Sequence, residues 1–206
     1  ALANPGPREA SVRAAMNGGV GGSTHAASLM AALAIGAGQY GGAQEVSVCV
    51  SLWNKNGFDF DKWNHCLLCP NEHYQEDIWL PFEHAPGFDP NGIAFSSVSA
   101  GILNALSSLS EDGALAWLSQ NKEKLEAEMG YPLSLSGIAA AAFYDLGFDE
   151  KAAAYLYLIF RLPGAAVHAI EQEGMGWKKF PFFAENIVLK NDPGSMGIPE
   201  IRGLNI

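Results

Sequence analysis

Apolar residues recur along this chain at helical spacing, and nowhere do apolar and polar residues alternate for more than a few positions. Residues 8–17 carry good helix formers at Glu9, Ala10, Arg13, Ala14 and Ala15. The glycine run over 18–22 predicts a break, with Ser23 as the next N-cap. Residues 23–36 are almost entirely small and apolar, which predicts a helix buried all round and closely approached by its neighbours. Glycines over 36–42 interrupt the pattern, and 43–55 resume it with Val46, Val48, Val50 and Trp53. Residues 58–90, rich in proline and aromatics, read as one short helix with loops. Further on, 92–108 place Ile93, Phe95, Val98, Ile102 and Leu106 on one helical face, and 110–112 cap another helix reaching 128. A helical pair over 135–146 and 149–162 surrounds Gly147, with Asp149 as N-cap. Residues 163–174 predict one more helix or a kinked continuation, and the chain from Trp177 reads as extended. The pattern predicts an all-α fold in a single domain, 1–206, with a loop-rich segment over 56–92.

Composition narrows the function classes. At 206 residues, with 49% hydrophobic and 17% charged, the chain can bury a sizeable core and is not of the disordered class. A formal net charge of −10 disfavours non-specific binding to nucleic acid or an anionic membrane. A phosphorylated ligand requires that the few cations converge. No apolar run reaches the roughly 20 residues that span a bilayer, and no basic segment opens a leader. The 3 cysteines, an odd number, argue against a disulfide framework. These features predict a soluble cytoplasmic protein. The start at Ala1, without Met, predicts that residues precede it.

Three segments carry a resemblance. The first is Gly22-Ser23-Thr24, continuing through the small-residue helix into Tyr40-Gly41-Gly42-Ala43. The second is Phe82-Glu83-His84-Ala85-Pro86-Gly87-Phe88-Asp89-Pro90. The third is Arg161-Leu162-Pro163-Gly164 followed by Val167-His168-Ala169-Ile170-Glu171-Gln172. In this order and rough spacing they resemble the N-A-S-T helix, H-G-G-A loop, G-H-P/R…D-P-R loop and R-I-x-G-x-x-A-H-x-x-E-Q helix of the citrate synthase and citryl-CoA lyase superfamily. The resemblance implies a citrate synthase-like helical bundle with buried Ala-rich helices, lacking the family's upstream helices. It also implies a homodimer, and action on an acyl-CoA and a keto- or tricarboxylic acid by C–C bond cleavage or condensation. The thioester of coenzyme A would be a substrate, and no metal is expected.

Carried across residue by residue, the resemblance is partial. His84 stands at the position of a catalytic histidine, and Tyr40 replaces the H-G-G-A histidine, as an aromatic residue does in the ATP-citrate lyase branch. Ser136, in Pro132-Leu133-Ser134-Leu135-Ser136-Gly137, stands where the family has its catalytic Asp. Arg161 matches a carboxylate-binding arginine, Asn91 replaces the arginine of D-P-R, and Asn17 replaces an upstream substrate-binding histidine. His168 is a further substrate-binding candidate, and Lys178 and Lys179 are candidates for the CoA phosphates. A serine hydroxyl is a poor base for removing a proton next to a thioester. The alternative implied is therefore a degenerate, non-catalytic acyl-CoA or carboxylate-binding homologue.

Each of these residues also has a plainer reading. His84 can be a structural loop histidine, Arg161 a cation favoured near a helix end, and Tyr40 a wedge between glycines. His168 with Glu171 and Gln172 reads better as a capping network, and the lysine pair as solvated surface. His65-Cys66-Leu67-Leu68-Cys69 with His73 has metal-ligand spacing, yet a second ligand pair is missing and buried free thiols are common.

Overall fold

The first helix opens on Glu9, whose carboxylate accepts hydrogen bonds from the Ser11 and Val12 amides. Two of the donors that a helix N-terminus leaves unpaired are thereby satisfied. A computed structural model describes residues 2–7, 9–69, 84–109 and 112–176. In chain order its helices are α1 (Ala10–Val20), α2 (His25–Gly36), α3 (Ala43–Asn56), α4 (Phe60–Leu68), α5 (Ser97–Ser107), α6 (Ala114–Met129), α7 (Leu135–Asp145) and α8 (Glu150–Met175). Among the described residues the only β feature is an isolated antiparallel bridge between Phe88 and Leu133. The fold is all-α.

Helix α1 continues through Gly18 and Gly19, which the sequence reading took as a break. A Cβ at Gly18 would stand 2.5 Å from Ser28 Oγ, and one at Gly19 2.6 Å from the Ala169 carbonyl oxygen. The two glycines let α2 and α8 approach the α1 backbone, and that packing offsets a helix-propensity cost of about 1 kcal/mol each. Helix α2 starts one residue later than predicted, with Thr24 Oγ1 accepting from the Ala27 amide at 3.2 Å. Its burial differs from expectation. Ser28, Ala32 and Gly36 are buried, whereas Met30 and Ile35 are 62% and 53% exposed. The outer face is as apolar as the inner one, so composition could not tell them apart.

Helix α3 forms the centre, packed against both α7 and α8. Val46, Val50 and Trp53 are buried. Trp53 meets Trp63 of α4 edge-on at 4.4 Å and Trp117 of α6 at 5.5 Å between ring centroids, an aromatic cluster that closes the core's far end. Helix α5 begins after Ser96, not at 92, leaving Ile93 fully exposed. The start of α6 lacks a local side-chain cap. Its Ala114 and Leu115 amides donate instead to the carboxylate of Asp145, at the end of α7.

Asp149 caps α8 as predicted, its Oδ1 accepting from the Ala152 amide at 2.7 Å. The helix then runs unbroken through Pro163. Proline interrupts the hydrogen-bond ladder, and the Gly164 amide donates to the Ala3 carbonyl at 2.7 Å, docking the N-terminal segment at that interruption. By length and composition α8 is apolar enough to cross a membrane, which the sequence reading did not anticipate. It packs against α1, α2 and α3. The segment from Trp177, expected to be extended, lies outside the described residues.

Candidate functional site

Three turns of the chain bring donors to one carboxylate. Glu45, in the first turn of α3, is 1% exposed. One of its oxygens accepts from the Gly41 amide at 2.6 Å and from Ser136 Oγ at 3.1 Å. The other accepts from the Gly87 amide at 2.7 Å and lies 3.4 Å from His84 Nε2. Gly87 has a φ of +87°, a backbone that favours glycine, and a Cβ there would stand 3.2 Å from Gly137 Cα. The loop from His84 therefore seats directly on the start of α7. Ser134 caps that helix, accepting from the Gly137 amide at 3.3 Å, and its hydroxyl also meets that of Ser136. Above the carboxylate the ring of Tyr40 stacks on His84, centroids 5.3 Å apart and planes 21° apart. Tyr40 is 54% exposed, so the pair is reached from one side.

A second node faces the first. Arg161, buried in α8, donates through Nη2 to Tyr157 Oη and pairs through Nη1 with Glu9. Tyr157 Oη in turn donates to the Gly41 carbonyl at 2.8 Å, linking the two nodes. Burial pushes the Tyr157 phenol well above its ordinary range, so it stays a neutral donor. The buried Arg161 Nε has no hydrogen-bond partner among the described residues.

Between the nodes lies a cleft of about 590 Å³. Tyr40, His84, Asn91, Ser136 and Arg161 all line it, although they are spread over most of the chain. Asn17 does not: it sits exposed on α1, away from the cleft, because the helix continues past it. His168 stands one residue back, its Nδ1 2.8 Å from Glu171 and its Nε2 2.9 Å from Asn4 Oδ1, and Asn4 is the residue that lines the cleft. Lys178 and Lys179 lie outside the described residues.

Sequence reasoning missed Glu45, Glu9 and Tyr157. A signal for Glu45 was available: it is spaced four and eight residues from Cys49 and Trp53, on the stripe of α3 that is buried. An acid on an otherwise buried stripe needs donors, and here it has them. Cys49 is one turn further along, and burial, then the Glu45 charge, push its thiol well above the ordinary range. It is therefore an unreactive thiol.

Cys66 Sγ is 3.5 Å from Asn56 Oδ1, and Cys69 is exposed. Among the described residues no group of three or more His, Cys, Asp or Glu could hold a metal ion, and His73 lies outside them. Comparison with protein-family models and with curated proteins finds no match for this chain.

Proposed function

We propose that the cleft binds an acyl-CoA together with a keto- or tricarboxylic acid and makes or breaks a C–C bond between them, on a citrate synthase-like helical bundle. The observation that carries this reading is that Tyr40, His84, Asn91, Ser136 and Arg161 line one cleft together with the buried carboxylate of Glu45. Tyr40 and His84 would hold a carbonyl oxygen, since both side chains offer donors. Arg161 would meet a carboxylate, using donors in a fork that suits a planar anion.

The reaction needs a base, and Ser136 alone is a poor one. Of the carboxylates that line the cleft, Glu9 is tied to Arg161 and the cap of α1. Asp89 is exposed and accepts from the Asn91 amide. Glu45 is the remaining one, and Ser136 Oγ already donates to it at 3.1 Å. Glu45 acting through the Ser136 hydroxyl would supply the carboxylate function that the serine replaces.

The second reading, a non-catalytic acyl-CoA or carboxylate binder, has its own support. Both Glu45 oxygens are already hydrogen-bonded, and Arg161 is already ion-paired. Either reading goes with a homodimer in which a second copy covers exposed apolar residues such as Met30 and Ile35 of α2.

A thermal-shift series with CoA, acetyl-CoA, oxaloacetate and citrate tests binding, because a ligand held only by the folded state raises the melting temperature. A thiol-release assay with acetyl-CoA and oxaloacetate, and with citryl-CoA, separates the two readings. Turnover supports the enzyme, and binding without turnover supports the binder. No shift with any of the ligands removes both.

A further inference from the structure

Beside the polar cleft lies a second space of different character. It has a volume of about 330 Å³, and among the described residues every one that lines it is apolar, Leu106, Ile138, Ala139, Ala142 and Phe143 among them. The recess is open to solvent, with Leu146 and Phe160 of its wall exposed. Apolar surface left in water favours an apolar occupant that covers it. The position of the recess gives a reason for it. Ile102 and Leu135 line both this recess and the cleft that holds Glu45, His84 and Arg161. Both residues are only half-buried, so they border open space on each side. The N-terminal segment spans the same junction, with Leu2 and Ala3 on the apolar side and Asn4 and Pro5 on the polar side.

We infer that the recess receives the aliphatic chain of the acyl group whose carbonyl is held in the cleft, so that the ligand is an acyl thioester with a chain several methylenes longer than acetyl. This rests on the reading of the cleft as an acyl-CoA site and adds a chain-length preference to it. The division of surface fits such a ligand. Donors and a guanidinium stand at one end for oxygen atoms, and helices α5 and α7, with Phe160 of α8, form an apolar wall at the other. At roughly 30 Å³ for a water-sized group, the volume takes a chain of several carbons.

Calorimetric titration of the full chain with CoA, acetyl-CoA, butyryl-CoA, hexanoyl-CoA and octanoyl-CoA tests the inference. Each methylene that leaves water tightens binding about fourfold, so octanoyl-CoA binds at least a hundredfold tighter than acetyl-CoA. Ala142→Phe, a half-buried lining residue enlarged into the recess, flattens the series and leaves acetyl-CoA affinity within about threefold. The wild-type series needs no variant, so it stands even where Ala142→Phe does not fold. Acetyl-CoA binding with no gain from acetyl to octanoyl overturns the chain-length inference and leaves the cleft reading intact. A gain that survives Ala142→Phe in the folded variant overturns it too, because the chain is then held elsewhere. No binding by CoA or by any acyl-CoA overturns the cleft reading, and the inference with it.

Discussion

Replacing Glu45 by glutamine probes the node on which the cleft is built. The substitution keeps the shape of the side chain and turns one of its two oxygens into an NH₂ donor. Each oxygen now accepts from a backbone amide, Gly41 at 2.6 Å and Gly87 at 2.7 Å. Whichever way the new amide lies, its NH₂ faces one of those N–H groups, that of buried Gly87 or of half-buried Gly41, and leaves it without its acceptor, which costs about 1–3 kcal/mol. The surviving bonds also lose the charge on their acceptor, roughly another 1 kcal/mol. Together the loss is about 3 kcal/mol, or ~6–12 °C in melting temperature for a chain of this size. Urea unfolding followed by far-ultraviolet circular dichroism reads the free energy. Amide hydrogen exchange at Gly41 and Gly87 shows whether the loss is local to the node. Glu123→Gln, on the exposed face of α6, serves as control and changes stability by no more than about 0.5 kcal/mol. A loss below about 1 kcal/mol for Glu45→Gln at unchanged m-value, with both amides still protected, would refute the claim that this carboxylate organises the cleft.

Two further outcomes follow from the same geometry. Ser136→Asp, which restores the acid the resemblance expects, sets a second carboxylate against Glu45, because Ser136 Oγ is only 3.1 Å from it. One of the two acids then holds its proton to higher pH. The variant is less stable than wild type by about 2–4 kcal/mol at pH 7, and the deficit shrinks as pH falls towards 5; melting curves at both values check this, and a constant deficit counts against it. At alkaline pH, Cys49 and Tyr157 hold their protons in the fold beyond the values of 9.0 and 10.0 ordinary for these groups, which the unfolded chain approaches. Their contribution is full below those values and is lost as pH rises above them, by up to about 1.4 kcal/mol per pH unit for each group. Cys49→Ala therefore removes part of the slope of stability against pH between 9 and 10, and curves parallel to wild type would contradict that.

Much of the helical layout was legible because it is written in local chemistry. Asp149 caps α8 through its own side chain, and the stripe of Val46, Val50 and Trp53 marks the inner face of α3. Errors arose where tertiary contacts decide. Gly18 and Gly19 read locally as a break, but their missing side chains make room for Ser28 and Ala169. Pro163 read as a possible end of helix, but the docked Ala3 carbonyl takes up the Gly164 amide left beside it. Helix α2 gave no sign of which face would be outside, since both faces are apolar. Of the candidate site residues, Tyr40, His84, Asn91, Ser136 and Arg161 line the cleft, while Asn17 sits apart on the exposed side of α1. Glu45 escaped notice because an acid in the first turn of a helix is ordinarily explained by the helix dipole. Only the return of the loop at Gly87 and the start of α7 shows that it is buried and shared.

The proposed function requires that His84 and Arg161 face one ligand across the cleft. Calorimetric titration of oxaloacetate into wild type, His84→Ala and Arg161→Leu, each with acetyl-CoA present and absent, tests it most directly. Wild type is expected to bind oxaloacetate, and each variant, with folding verified by circular dichroism, to lose at least tenfold in affinity, since each substitution removes a hydrogen-bond donor or a charged partner of the acid. Oxaloacetate binding that is equally strong in all three folded proteins would contradict it, as would a wild type that binds neither oxaloacetate nor acetyl-CoA.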